Sequence, residues 1–162
     1  MATNALDFTL RSIGVIHSPF TDKKQTPIQP SRSQSLGAVE VFPQFADGLE
    51  GVEGFSHLIL LYLFDRSEGF SLRVQPFLDD RTHGIFATRY PYRPNPLGLS
   101  VVRLLKQDGN RLEIEGVDVL DGTPLLDIIP YVPDFDIFPG EIRAGWYETR
   151  SKRSEEHTSE LQ

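Results

Sequence analysis

Residues 86–100, FATRYPYRPNPLGLS, put two arginines, two tyrosines and an asparagine on a segment stiffened by three prolines. Arg89 and Arg93 each offer a planar fork of donors that suits a carboxylate or a phosphate, and a rigid backbone lowers the ordering cost of using it. Asn95, between Pro94 and Pro96, both donates and accepts, the pattern needed to read an exocyclic amine beside a ring nitrogen. Tyr90 and Tyr92 add two aromatic rings to the same segment. The same composition also fits a proline-rich barrel corner carrying surface arginines, and composition alone does not separate the two.

A second stretch, 118-DVLDGTPLLDIIPYVPDFD-136, holds Asp118, Asp121 and Asp127 between apolar residues. Burying a carboxylate is costly unless it is paired or used. Asp121-Gly122-Thr123-Pro124 has turn chemistry, and its amides, carboxylate and hydroxyl are expected to cradle a polar amino-acid or ribose group. A solvated hairpin tip is the plain alternative. The third stretch, 53-EGFSHLILLYLFDRSEG-69, ends an apolar strand abruptly in Asp65-Arg66. Polar groups there are either fixed at a rim or joined in a local salt bridge.

Strands must position these groups, because strand signals outnumber helical ones. They are expected at 12–17, 38–42, 55–64, 84–88, 99–105, 111–119 and 125–131, with Asp108-Gly109-Asn110 as a hairpin turn. The nearly continuous apolar run at 55–64 predicts burial on both faces. A short helix is expected at 45–50. The fold class that follows is all-β, a small antiparallel barrel with few short helices. The polar loop 21–36 is long for a simple connection and reads as a lid.

At 162 residues the chain suits one domain with a tail, and a net charge of −7 disfavours indiscriminate attraction to nucleic acid. There are no cysteines, which removes disulfides, thiolate metal sites and a cysteine nucleophile. Histidines 17, 57, 83 and 157 lack ligand spacing, so no metal is expected. Gly-rich dinucleotide and P-loop fingerprints and a G-x-S-x-G elbow are missing too. No segment has the length of a signal or a membrane span, so the expected location is the cytoplasm. The last ten residues, RSEEHTSELQ, resemble the translation of a sequencing adapter, so the expected division is a barrel domain at 1–152 and an adapter-derived or disordered tail at 153–162.

Taken together, GVIHSPF, the PIQP loop, GLEGVEGFSHLILLYLF, HGIFATRYPYRPNPLGLS and DVLDGTPLLDI-PYVP resemble the TrmO-type tRNA adenine-N6 methyltransferases from about Ile13 to Trp146. The resemblance implies a β-barrel unlike the doubly wound Rossmann methyltransferases. It also implies S-adenosylmethionine as cofactor, a homodimer with sites near the interface, and methylation of N6 of threonylcarbamoyladenosine next to the anticodon of a threonine tRNA. Matched by position, donor binding falls on Pro30, Ser31, Arg32, Asp65, Arg66, Arg89, Leu99 or its neighbours, Asp121, Gly122, Thr123 and Pro124. Tyr90, Tyr92 and Arg93 are expected to meet the tRNA, Asn95 to orient the acceptor nitrogen, and Asp118 or Asp127 to serve as base. The chain departs from the family pattern at Asp65, where His is usual, and at Ile129, where Lys is usual. Two other readings stand beside this one: a methyltransferase of the same fold acting on another RNA or a small molecule, and a noncatalytic S-adenosylmethionine-binding barrel.

Overall fold

The computed structural model describes residues 6–22, 34–76 and 79–148. The chain forms two compact units, Met1–Arg66 with Leu97–Tyr131, and Ser67–Pro96 with Val132–Gln162.

The first unit is a closed antiparallel barrel. Its strands are β1 (Gly14–His17), β2 (Leu36–Val41), β3 (His57–Leu63), β6 (Leu97–Asp108), β7 (Arg111–Glu115) and β8 (Thr123–Pro130), ordered β1-β2-β7-β6-β3-β8 around the wall. Closure leaves no strand edge unpaired, which is why a small sheet of short strands holds together. Alternation sets the inside: Ile16, Val39, Val41, Leu58, Leu60, Val102, Leu112, Ile114 and Leu125 are almost wholly buried. Each fully buried aliphatic side chain contributes roughly 1.5–3 kcal/mol.

Two glycines let the wall close. A Cβ on Gly14 would meet the Glu40 carbonyl oxygen at 2.2 Å, and one on Gly98 would meet the Tyr62 ring at 2.3 Å and the Phe64 ring at 2.7 Å. The β6–β7 hairpin turns through Gly109, at φ 61°, and Asn110, whose Nδ2 donates to the Val41 carbonyl at 2.7 Å.

Several expectations change. The outward residues of β3, Ile59, Leu61 and Leu63, are only half-buried, so this strand is covered on one face. The 45–50 helix is a 3-10 helix over Pro43–Leu49. The strand expected at 111–119 ends at Glu115 because Gly116 takes φ 105°. In the second unit, a ribbon of β4 (Arg73–Val74) and β5 (His83–Gly84) leads into a 3-10 turn at Ile85–Ala87 where a strand was expected. Thr88 Oγ1 donates to the Ile85 carbonyl at 2.8 Å, closing that turn around the buried Ile85. A four-residue helix, α1 (Pro133–Asp136), follows in the same unit. No helix among the described residues is long and apolar enough to cross a membrane.

Candidate functional site

Beyond β7 the chain runs through Val117, Asp118 and Val119, all buried, into a tight turn before β8. Hydrogen bonds fix that turn to the exit of β1. The Asp121 amide donates to the Phe20 carbonyl at 2.7 Å, the Gly122 amide to Ile16 at 2.9 Å and the Thr123 amide to Leu120 at 3.2 Å. Ser18 holds it from the other side, its amide donating to Asp121 Oδ1 at 3.0 Å and its hydroxyl to the Val119 carbonyl at 2.6 Å. Arg66 Nη2 donates to the Asp121 carbonyl at 2.6 Å. Gly122 sits at φ 85°, and a Cβ there would lie 3.3 Å from Arg66 Nη2.

One part of the sequence reading is corrected by this geometry. The amides of Asp121, Gly122 and Thr123 are all engaged inside the fold, and the Thr123 hydroxyl donates to Leu120 at 2.6 Å. The turn therefore offers the half-exposed Asp121 carboxylate as an acceptor rather than a cradle of N–H groups. Acceptors suit hydroxyls, ammonium groups and other cations. Donors come from the exposed guanidinium of Arg66. His17 lies beside the same carboxylate, its Nδ1 3.7 Å from Asp121 Oδ1, with Nε2 3.0 Å from Glu40.

Under the turn, three polar side chains form a line inside the barrel. Ser100 Oγ donates to Asp118 Oδ1 at 2.7 Å, and the Tyr62 hydroxyl is 2.6 Å from Ser100 Oγ. A serine has one proton to give, so Tyr62 is the donor in the second bond. All three residues are buried, at 3, 6 and 8 % exposure for Tyr62, Ser100 and Asp118.

The other candidates in this unit spread out. Asp65 is exposed next to Arg66, and no salt bridge joins the two among the described residues. Pro124 pairs with Val15 at the start of β8, next to the turn. Leu99 points outward from β6 and is 44 % exposed. Asp127 lies four residues beyond Thr123 on β8, roughly 13 Å of strand. Its parity would turn it into the core, but a register shift between Leu61 and Tyr62 rotates it out, so of the three carboxylates Asp118 alone is buried. Asp127 Oδ1 accepts from the Ile128 amide at 2.9 Å. It lines a pocket of about 350 Å³ with Ile13, Phe45, Val52 and Phe55 at the barrel end away from the turn. Pro30, Ser31 and Arg32 lie outside the described residues.

The second unit carries the remaining candidates. Arg89 and Asn95 are exposed, and neither side chain has a partner among the described residues. Arg93 Nη1 donates to the carbonyls of Thr88 at 2.7 Å and Tyr90 at 3.2 Å, so part of its fork holds its own loop. Tyr90 and Tyr92 meet edge to face, centroids 6.2 Å apart. Sequence reasoning missed the clasp around them. His83 Nε2 pairs with Asp79 Oδ2 at 2.5 Å, the His83 ring stacks on Trp146 at 4.7 Å, and Trp146 Nε1 donates to the Ala87 carbonyl at 2.7 Å. The hydrogen bond from His83 holds the Asp79 carboxyl below its ordinary value.

Ser18, Tyr62 and Ser100 were also missed. A polar residue at an inward position of an apolar strand, as at Ser100, was the signal that could have found one of them.

Residues 15–137 match the family described as tRNA-methyltransferase O N-terminal domain. The chain is 55 % identical over 139 residues to a probable S-adenosyl-L-methionine-binding protein of Pyrococcus abyssi, covering 85 % of this chain and 75 % of that one. It is 38 % identical over 143 residues to the mouse tRNA (adenine(37)-N6)-methyltransferase, covering 83 % of this chain and 33 % of the mouse protein. Among solved structures, TrmO from Pseudomonas aeruginosa superposes with a TM-score of 0.73 at 37 % identity, covering 91 % of this chain and 64 % of that one. The chain thus spans under two thirds of the solved protein's length. With a match over most of its residues and a barrel of the same kind, the chain belongs to the tRNA-methyltransferase O N-terminal domain family.

Proposed function

We propose that the chain is an S-adenosylmethionine-dependent methyltransferase acting on an adenine-derived base of tRNA. The finer form of the proposal is transfer to N6 of threonylcarbamoyladenosine next to the anticodon of a threonine tRNA, by a cytoplasmic homodimer. The observation that carries it is the turn at Asp121–Thr123, where a carboxylate and main-chain oxygens stand beside the guanidinium of Arg66. That pairing of acceptors with one cation fits the donor, which carries a sulfonium, an ammonium, a carboxylate and ribose hydroxyls. Names borne by relatives support the same reading: S-adenosyl-L-methionine-binding in Pyrococcus abyssi and tRNA (adenine(37)-N6)-methyltransferase in mouse.

When bound, the donor supplies an activated methyl group, so the protein's task is alignment. Arg66 holds the carboxylate, and Asp121 takes the ammonium or ribose. Gly122, Thr123 and Pro124 shape the wall, with Asp65, Leu99, Pro30, Ser31 and Arg32 completing the donor contacts. Arg89 binds a carboxylate or a tRNA phosphate. Tyr90, Tyr92 and Arg93 receive the nucleotide, and Asn95 orients N6. The base role, if the ureido nitrogen needs one, belongs to Asp118 or Asp127.

The test is to incubate the full chain with methyl-labelled donor and tRNA from cells lacking this modification, then digest and chromatograph the nucleosides. Label in N6-methylated threonylcarbamoyladenosine is expected. Label in another nucleoside selects a different acceptor. Binding of donor with no transfer to any tRNA selects the noncatalytic reading, which the name of the Pyrococcus abyssi relative favours.

A further inference from the structure

We infer that Trp146 and Tyr147 are positioning residues that hold the backbone on either side of Thr88 and so fix the root of Arg89 for an oxyanion. This rests on the proposed role of Arg89 in binding a carboxylate or a tRNA phosphate.

The two side chains reach neighbouring points of one stretch of chain. Trp146 Nε1 donates to the Ala87 carbonyl at 2.7 Å, and the Arg89 amide donates to the Tyr147 hydroxyl at 2.9 Å. Neither direction depends on a protonation state, since an indole N–H and an amide N–H only donate. The clasp is itself held in shape. Gly145 turns at φ 57°, and the Tyr147 and Glu148 amides donate to the Ala144 and Gly145 carbonyls at 3.2 Å. The Trp146 ring stacks on Tyr147 with centroids 4.0 Å apart and on His83 at 4.7 Å.

Bonds within the loop complete the fixation. The Thr88 amide donates to the Ile85 carbonyl at 3.1 Å, the Tyr90 amide to Thr88 Oγ1 at 3.2 Å, and Arg93 Nη1 to the Thr88 and Tyr90 carbonyls. From Ala87 to Tyr90 the main chain is therefore tied at every residue. The Arg89 guanidinium is not, being exposed and without a partner among the described residues. A fork of donors meets an oxyanion through two parallel hydrogen bonds, which tolerate little displacement. A root that is already fixed leaves only the side chain to be ordered on binding. Packing alone accounts for the stacked rings. It does not require two adjacent residues to direct their polar atoms at the backbone flanking an unpaired arginine.

Calorimetric titration of the full chain with S-adenosylmethionine and, separately, with a synthetic anticodon stem-loop of a threonine tRNA tests this, the two arms separating a carboxylate from a phosphate as the oxyanion. Arg89→Ala is expected to weaken one ligand about tenfold, the scale of a lost charged hydrogen bond. Tyr147→Phe, which removes only the hydroxyl, is expected to weaken that same ligand on the order of fivefold and to leave the other within about twofold. In the Arg89→Ala background it should cost nothing further, because a misplaced root matters only while the guanidinium is there. A loss in Tyr147→Phe that falls on a ligand Arg89→Ala spares, additive losses in the double variant, or full affinity in Tyr147→Phe overturns the inference. Trp146→Phe, which withdraws the indole N–H from Ala87, follows the same cycle and decides the matter if Tyr147→Phe does not fold. If Arg89→Ala leaves both affinities unchanged, the reading of Arg89 fails first and the inference with it.

Discussion

Arg66 and Gly98 show how far single residues can be held to account. Arg66 donates into the carbonyl of Asp121 and keeps the rest of its fork exposed. Arg66→Ala is therefore expected to weaken donor binding by at least about tenfold, the scale of one lost charged hydrogen bond. Because the side chain is exposed, the melting temperature should move little. Equal loss of stability and affinity would point to a structural peg instead. Gly98 is the opposite case. A methyl group there meets the Tyr62 ring at 2.3 Å and the Phe64 ring at 2.7 Å, and neither ring can yield without disturbing the core. Gly98→Ala should cost about 1–3 kcal/mol, read as a lowered midpoint in chemical denaturation. Gly48→Ala, where a Cβ meets nothing within 4 Å, is the control. Arg66 could be singled out from the sequence, since side-chain type is written in it. The sequence did not show Gly98 as a packing glycine, because that role depends on which ring β3 presents to β6.

Strands were legible where apolar residues alternate or run together between turn signals. β2 falls where its alternation puts it and β3 where its apolar run does, β6 and β7 also lie within a few residues of their expected places, and the Gly109–Asn110 hairpin was visible from turn chemistry. Features that break the period were not. The register shift between Leu61 and Tyr62 turns Asp127 outward, and no local signal in DGTPLLDIIP marks it. The 3-10 turn at Ile85–Ala87 passes for a strand because Ile and Phe have strong β propensity, while the hydrogen bond from Thr88 that closes the turn is invisible in composition. The Asp79–His83 pair, joined across the approach to β5, belongs to the same class. Its titration gives a prediction with a definite sign. Asp79 is more acidic folded than unfolded, chiefly through its bond to His83. The stability it contributes is therefore present above the ordinary carboxylate value and is lost as pH falls through the lower, folded value. Asp79→Asn should melt below the unaltered protein near neutrality, and the gap should close as pH falls below the ordinary carboxylate value. A gap that persists unchanged in acid rules out the ionised pair as its source.

At the scale of the molecule, the barrel wall itself is unusual. On one stretch of its outside, register sets Leu63 opposite Leu97, Leu61 opposite Leu99, and Ile59 opposite both Val101 and Ile129. Leu97, Leu99, Val101 and Ile129 are each 40–44 % exposed. An antiparallel wall that meets only water is expected to be polar on that side, and contiguous apolar surface marks a contact. The homodimer proposed above would use this face, since a twofold interface pairs one patch with itself. A standard interface buries about 800 Å² per partner, so the stripe would form its centre, with a polar rim around it. Leu99, proposed for the donor site by position in the family pattern, lies inside the stripe, so the proposed dimer would link assembly to cofactor binding. Val101 has no proposed contact with the donor and faces water on the same strand, so it separates the two. Val101→Glu is expected to shift the sedimentation coefficient from dimer to monomer at micromolar concentration while leaving the denaturation midpoint nearly unchanged, because its side chain points away from the core. Donor affinity should fall with it, severalfold, and should recover in part as protein concentration rises and mass action restores the pair. An unaltered chain that sediments as a monomer at the same concentration would remove the stripe's assigned partner, and a monomeric variant with full donor affinity would show that each barrel binds its cofactor alone.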